Sequence, residues 1–217
     1  MTTVRLYRDP CGVARALDVV GDRWALLIVR ELLFGPKRFV QLRGDLHGVS
    51  ANVLSQRLHD LEDTGIVRRD VLDHPASVAV YELTARGRAL EPILIELGRW
   101  GSQEAVATTN ELSVNSLLLA LKTVFDPAAG ADATLALGIE GHWFALTVAG
   151  SSLEITPGRA EHAAVTFESD VATLRSVAFG REPVSRAERE GRLRVRGDRQ
   201  LAEQFTRMFP VPGQPRR

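Results

Sequence analysis

Four short helical patterns succeed one another through residue 63, the first three closed at glycine turns, and at Thr64-Gly65 the apolar period changes from helical to strand-like. Few folds accept that order. Asp9 and Pro10 read as N-cap and first residue of a helix over 11–20 that stops at Gly21. Asp22 caps a second helix over 22–34, apolar nearly all round (Trp24, Leu27, Ile28, Leu32, Leu33) and therefore central, and Gly35-Pro36 ends it. A short third helix over 39–46 breaks at Gly48. Ser50 caps a fourth, in which Leu54, Leu58 and Leu61 fall at i, i+4 and i+7 and leave Asn52, Ser55, Gln56 and His59 on the opposite face. Residues 66–72 and 78–83, joined by a proline-containing turn, read as a hairpin. Thr84 caps a last helix of roughly twenty residues striped by Leu90, Ile93 or Leu94, Leu97 and Trp100, with Pro92 placed to kink it near its middle.

A short helix, a turn and a capped helix with a polar outer stripe, followed by a hairpin, is the order of a winged helix-turn-helix. In that arrangement the fourth helix lies in the major groove and presents Asn52, Ser55, Gln56 and His59, with Ser50 at its start, to base edges; Asn or Gln pairs bidentately with adenine. Lys37, Arg38 and Arg43 before this helix, and Arg57 at its flank, are placed for phosphate contacts. The alternative is an ordinary solvated helix face, and the pattern by itself leaves both open.

The 217 residues, 45% hydrophobic and 25% charged, fit one large globular domain or two smaller ones and exclude disordered, collagen-like and membrane-spanning classes. The longest apolar runs, 24–29 and 117–121, are far too short to cross a bilayer. The amino-terminal MTTVRLYRDPCG has no apolar stretch before a small-residue cleavage site, so the expected location is cytoplasmic, with no membrane partner. One cysteine excludes an intrachain disulfide, and five scattered histidines offer no zinc spacing, so neither metal nor cofactor is expected. The 27 basic and 27 acidic residues cancel, and they cancel within each half of the chain as well. Any DNA contact must therefore come from where the charge is placed.

A polar interruption over 108–113 separates a first domain (1–107) from a second (114–210), and a proline-rich tail over 211–217 is expected to fray. In the second domain a helix over 115–125 leads to antiparallel strands over 134–139, 142–148 and 153–156, the first two joined by a Glu140-Gly141 turn. A strand over 164–167 precedes a helix capped near Ser169 or Asp170. The alternating Arg-Leu-Arg-Val-Arg of 192–196 is a strand with one buried face, and Gly197-Asp198 caps a final helix with Leu201, Phe205, Met208 and Phe209 on one side. The chain is thus expected to be α+β: a winged helix-turn-helix followed by an α+β domain of about five strands and three helices. Leu121, Phe125, Trp143, Phe144, Phe205, Met208 and Phe209 either line an apolar ligand cavity or fill a dry core. His142, His162, Glu140 and Ser169 have no triad spacing, and neither a glycine-rich phosphate loop nor a carboxylate pair stands out, so no enzyme is expected.

Cys11-Gly-Val-Ala-Arg-Ala-Leu-Asp18, Gly21-Asp-Arg-Trp24, Leu32-Leu-Phe-Gly-Pro36, Arg38-Phe39, Leu42-Arg43, Leu54-Ser-Gln-Arg-Leu58, Leu61-Glu62, Gly65 and Tyr81-Glu-Leu-Thr84 with Gly87 together resemble the HxlR-type transcriptional regulators, MarR-related winged-helix repressors. The resemblance covers the whole first domain. It implies a homodimer joined through the terminal helices, which would also give the Leu90–Trp100 stripe a partner, bound to a pseudopalindromic site on double-stranded DNA. Two departures stand out. Where the family carries Pro-Pro-Arg at its wing this chain has Ala76-Ser77-Val78, leaving Arg68, Arg69 and His74 as the substitutes, and the family's Cys-Pro is here Cys11-Gly12 preceded by Pro10.

The resemblance also proposes Cys11 as a sensor of quinones, aldehydes or disulfide stress. A first-turn position, with Arg15 one turn on and Arg8 nearby, lowers a thiol pKa, while Asp9 opposes them. With no second cysteine, sensing requires an intersubunit disulfide, a mixed disulfide or alkylation; the alternative is a small apolar residue packed at the dimer interface. In the second domain, Gly191-Arg-Leu-Arg-Val-Arg-Gly-Asp198 and the Phe167-Glu-Ser-Asp170 step are similar to sterol carrier protein type 2-like domains. That similarity implies helices stacked on a sheet around an apolar tunnel, and so an apolar small molecule or lipid as a further partner that adjusts operator affinity. A thiol-sensing regulator with a purely structural second domain, and a lipid carrier whose first domain only dimerises it, are the other readings.

Overall fold

The structure is a computed structural model that describes residues 6–72, 78–103, 111–130, 132–180 and 182–210. The chain forms two compact units, Met1–Leu94 and Ile95–Arg217. His74, Ala76, Ser77, residues 108–110 of the expected linker and the 211–217 tail lie outside the described residues.

The first unit contains α1 (Gly12–Val20), α2 (Ala25–Leu32), α3 (Phe39–Asp45), α4 (Ala51–Asp63), β1 (Val67–Leu72), β2 (Val78–Leu83) and α5 (Ala85–Arg88), and the division between the units falls within α6 (Glu91–Gly101). Its core is assembled around α2, whose Ala25, Ile28, Val29 and Leu32 are all buried together with Leu42, Leu54, Leu58, Leu61 and Leu83. Each of the leucine, isoleucine and valine side chains contributes about 1.5–3 kcal/mol relative to leaving it exposed. β1 and β2 form an antiparallel pair, and a bridge between Lys37 and Tyr81 adds a third, strand-like segment beside β2.

Three helix starts differ from the sequence reading. α2 begins at Ala25 with Trp24 and not Asp22 as its N-cap, because the Asp22 carbonyl accepts the Ala25 N–H at 3.0 Å in a turn that precedes the helix. The N-cap of α1 is Cys11, because the Asp9 carboxylate accepts the Cys11 backbone N–H at 2.8 Å and holds the chain in a turn for two residues longer. The expected twenty-residue helix after Thr84 is two helices. Pro92 cannot donate to the Arg88 carbonyl and its ring would clash there, so α5 ends at Arg88 and α6 restarts with Pro92 in its first turn, where no donor is needed.

The second unit carries α7 (Val114–Val124), β3 (Ala133–Ile139), β4 (His142–Ala149), β5 (Ser152–Pro157), β6 (Val165–Ser169), α8 (Val171–Ala178), α9 (Val184–Arg189), β7 (Leu193–Gly197) and α10 (Arg199–Phe205). The five strands lie in the order β5-β4-β3-β6-β7. All neighbours are antiparallel except β3 and β6, which are parallel. Glu140 and Gly141 both have positive φ (51° and 84°), the two-residue turn that matches the twist of a hairpin. Gly197 has φ 102°, and a Cβ there would lie 2.1 Å from the Ala164 carbonyl oxygen, so only glycine closes β7 against the start of β6.

One face of this sheet is apolar and buried: Leu135, Leu137, Ile139, Phe144, Leu146, Val148, Leu153, Ile155, Val165, Phe167, Leu193 and Val195. Of the residues expected to line a cavity, Leu121, Phe144, Phe205, Met208 and Phe209 are buried and Phe125 is half-buried. The rings form a chain: Phe125 to Phe209 at 6.2 Å between centroids, Phe209 to Phe205 at 4.9 Å, and Phe205 to Phe167 of the sheet at 4.7 Å. Met208 and Phe209 lie beyond α10, brought inward where the Asp126 N–H donates to the Met208 carbonyl at 2.8 Å.

Trp143 departs from that set. Neighbouring residues of a strand face opposite ways, so Trp143 and Phe144 cannot share one interior. Trp143 pairs with Gly138 on the other face, where a Cβ at Gly138 would lie 2.9 Å from its ring, and the Arg159 guanidinium stacks on it at 4.4 Å. α9 has no counterpart in the sequence reading. Its buried Val184 and Ala187 are too few to make a periodic signal, and it is secured by Arg192, which binds Glu182 and, at 2.7 Å, Glu190. These hydrogen bonds from Arg192 hold both carboxyls below the usual carboxylate range. The network's contribution is therefore present at neutral pH and is lost on acidification as the two groups protonate.

Candidate nucleic-acid interface

The fourth helix is set at its angle by the turn that precedes it. Leu46 and Val49 are buried and pin both ends of that turn, and Gly48 between them has φ 88°, a conformation glycine adopts freely. Ser50 then caps α4, its hydroxyl accepting the Val53 N–H at 3.3 Å. From this start the buried row Leu54, Leu58 and Leu61 fixes the rotation of the helix and turns Asn52, Ser55, Gln56 and His59 to solvent. The Gln56 amide nitrogen donates to Asp60 at 2.8 Å, and His59 lies 3.5 Å from Asp63. Val53, also in the first turn, is 40% exposed. Its only signal in the sequence is an apolar residue off the buried row. An exposed aliphatic group on such a face suits contact with a thymine methyl.

The cations divide into two groups. Arg38, the N-cap of α3, Arg43 in its last turn and Arg69 on β1 are exposed and make no ion pair with a described residue. Arg68 is also exposed but is bound to Glu82 at 2.6 Å across the hairpin. Lys37 and Arg57, expected at phosphates, are half-buried and engaged in ion pairs within the unit. The Lys37 ammonium is held at 2.7 Å by both Glu31 and Asp45, with Glu31 fully buried, and Arg57 binds Asp22 and, at 3.0 Å, Asp60. A buried carboxylate such as Glu31 demands a cation, and Lys37 is within reach. Cys11 is exposed, and the backbone N–H groups of Val13 and Ala14 at the start of α1 hold its thiol below the ordinary cysteine range.

Neither unit, among the described residues, has a cluster of three or more histidine, cysteine or carboxylate side chains able to hold a metal ion, and no described helix is long and apolar enough to cross a membrane. A short helix, a glycine turn, a serine-capped helix with an uncovered polar face, and a two-stranded wing with exposed arginines beside it define a winged helix-turn-helix DNA-binding protein. Residues 19–109 match the model of the HxlR-like helix-turn-helix family. The uncharacterized HTH-type transcriptional regulator YvaP of Bacillus subtilis is 42% identical over 89 residues, which cover 41% of this chain and 82% of that protein. The uncharacterized HTH-type regulator sll1512 of Synechocystis is 39% identical over 92 residues, covering 42% and 68%. Among solved structures, the reduced form of the transcriptional regulator YodB from B. subtilis shares 35% identity over 43% of this chain and 92% of that one, with a TM-score of 0.40. The chain belongs to the HxlR-like helix-turn-helix family of transcriptional regulators. Residues 119–210, within the second unit, match the model of the SCP-2 sterol transfer family.

Proposed function

We propose that the chain acts as a homodimer that represses transcription by binding a pseudopalindromic operator through α4 of each protomer. The observation that carries this is the capped, solvent-turned row Asn52, Gln56 and His59 with exposed Arg38 and Arg43 at its flank. Dimerisation is supported by the apolar side chains that a single protomer leaves open: Val13 (67% exposed) and Leu17 of α1, and Ile93, Leu97 and Trp100 (71%) at helical spacing on α6. Selection of duplexes from a random pool by the full chain is expected to enrich an inverted repeat with half-sites centred about one helical turn, roughly 34 Å, or a small multiple apart. Enrichment of no sequence would contradict the reading.

The second unit adjusts operator affinity by taking an apolar molecule between sheet and helices. Its match to a sterol transfer family supports this. A fluorescent fatty-acyl probe should raise the melting temperature of the full chain with concentration, and should shift operator affinity by the factor by which the operator shifts probe affinity.

Cys11 favours a second reading, in which alkylation of the thiol or a disulfide to another molecule switches operator binding. Its thiol is exposed and acidified by two backbone N–H groups. Iodoacetamide should react with Cys11 along a titration curve whose midpoint lies below ~8.5, and diamide should abolish operator binding by the parent while sparing Cys11→Ser. A midpoint at or above that value returns Cys11 to packing.

A further inference from the structure

Lys37 lies where three elements of the first unit meet. Its backbone makes both hydrogen bonds of a bridge to Tyr81 of β2, donating to the Tyr81 carbonyl at 3.0 Å and accepting the Tyr81 N–H at 2.8 Å. Its ammonium joins Glu31 in the last turn of α2 to Asp45, the last residue of α3. Both carboxylates stand at the negative end of a helix, where the backbone dipoles disfavour them, so a cation between the two stabilises both helix ends at once. Glu31 is satisfied on its other oxygen by Arg30, at 2.8 and 3.0 Å, which leaves Lys37 as the group that reaches across to α3. Five residues after Asp45, Ser50 starts α4. One side chain and its own backbone thus tie α2 to the end of α3 and to the wing.

We propose that Lys37 is a positioning residue for sequence recognition, setting where α4 and the wing stand relative to each other, and not a ligand of the DNA backbone. The proposal rests on the operator-binding reading above. It has a consequence that a phosphate contact would not share: losing Lys37 costs discrimination without changing how many counterions binding releases. Phosphate ligands reveal themselves in the salt dependence, each contact contributing about 0.9 to the slope of log affinity against log salt.

The test measures affinity of the full chain for its selected operator and for a scrambled duplex across a salt series, for the parent and for Lys37→Met, Lys37→Arg, Asp45→Asn and Arg43→Ala, at a temperature where each is folded by circular dichroism. Lys37→Met is expected to lower the ratio of operator to scrambled affinity about tenfold, the size of one mismatched base pair, with the parent's salt slope. Lys37→Arg, which keeps the charge between the two carboxylates, should restore most of the ratio. Asp45→Asn keeps the buried Lys37–Glu31 pair and so keeps the fold measurable should Lys37→Met not fold. Removing an anion near DNA ordinarily strengthens binding to every duplex, so a fall in the ratio for Asp45→Asn at unchanged slope supports positioning. A slope reduced in Lys37→Met as it is in Arg43→Ala would make Lys37 a phosphate ligand. A lowered melting temperature with the ratio intact in Asp45→Asn would make the network merely structural. If the parent itself selects no sequence, the operator-binding reading fails first, and that is visible before any variant is compared.

Discussion

Gln56→Ala should weaken operator binding by about 1–3 kcal/mol, roughly five- to 150-fold, and leave affinity for unrelated DNA unchanged. The expectation comes from the geometry of one side chain. Gln56 is exposed near the middle of α4, and one N–H of its amide is held by Asp60 at 2.8 Å. That bond fixes the plane of the carboxamide before DNA arrives, while the second N–H and the carbonyl oxygen stay available for the N7 and N6 edges of adenine. Alanine removes both base-edge bonds and the organised plane, and because no phosphate contact is lost the salt slope should not move. Arg43→Ala, by contrast, should weaken binding to every duplex and flatten the slope. Fluorescence anisotropy on the selected operator and a scrambled duplex separates the two patterns. Equal losses on both duplexes for Gln56→Ala would remove it from the recognition surface.

Phe205→Ala should destabilise the second unit by about 3–5 kcal/mol, read as the shift of its transition in denaturant. Phe205 is 1% exposed and stands between Phe167 of the sheet and Phe209, with both ring centroids within 5 Å and the Phe209 contact edge-on. Such pairs add to the loss of buried area. A cost below about 1 kcal/mol would mean that Phe205 borders an open space and not a filled layer, in which case the acyl probe should bind the variant more readily than the parent.

Much of this architecture is legible in the sequence, and for local reasons. Ser50 before Leu54, Leu58 and Leu61 states a cap and a buried row in one stretch of sequence, so α4 and its outward face follow from spacing. The glycines at 48, 141 and 197 mark turns through their backbone freedom. What stayed hidden depends on residues brought together by the fold. Glu31, Lys37 and Asp45 are separated by six and eight residues with a turn between them, a spacing that no helix rule pairs, so Lys37 read as a free cation. Of the two partners of Arg57, Asp60 stands three residues on and is legible from helix spacing, whereas Asp22 lies on the far side of two helices in sequence. The parallel pairing of β3 with β6 joins strands separated by two others, and only the register shows that Phe167 stands beside Leu137. Trp143 and Phe144 look alike in the sequence, apolar and adjacent, although alternation along a strand sends such neighbours to opposite faces.

The central claim, that α4 of each protomer reads one half of a symmetric site, is tested most directly by hydroxyl-radical footprinting of the full chain on its selected operator. The account predicts two protected patches related by a two-fold axis and centred roughly 34 Å or a small multiple apart, both weakened together in Gln56→Ala at equal protein concentration. A single unsymmetrical patch, or protection that Gln56→Ala leaves unaltered, would contradict it.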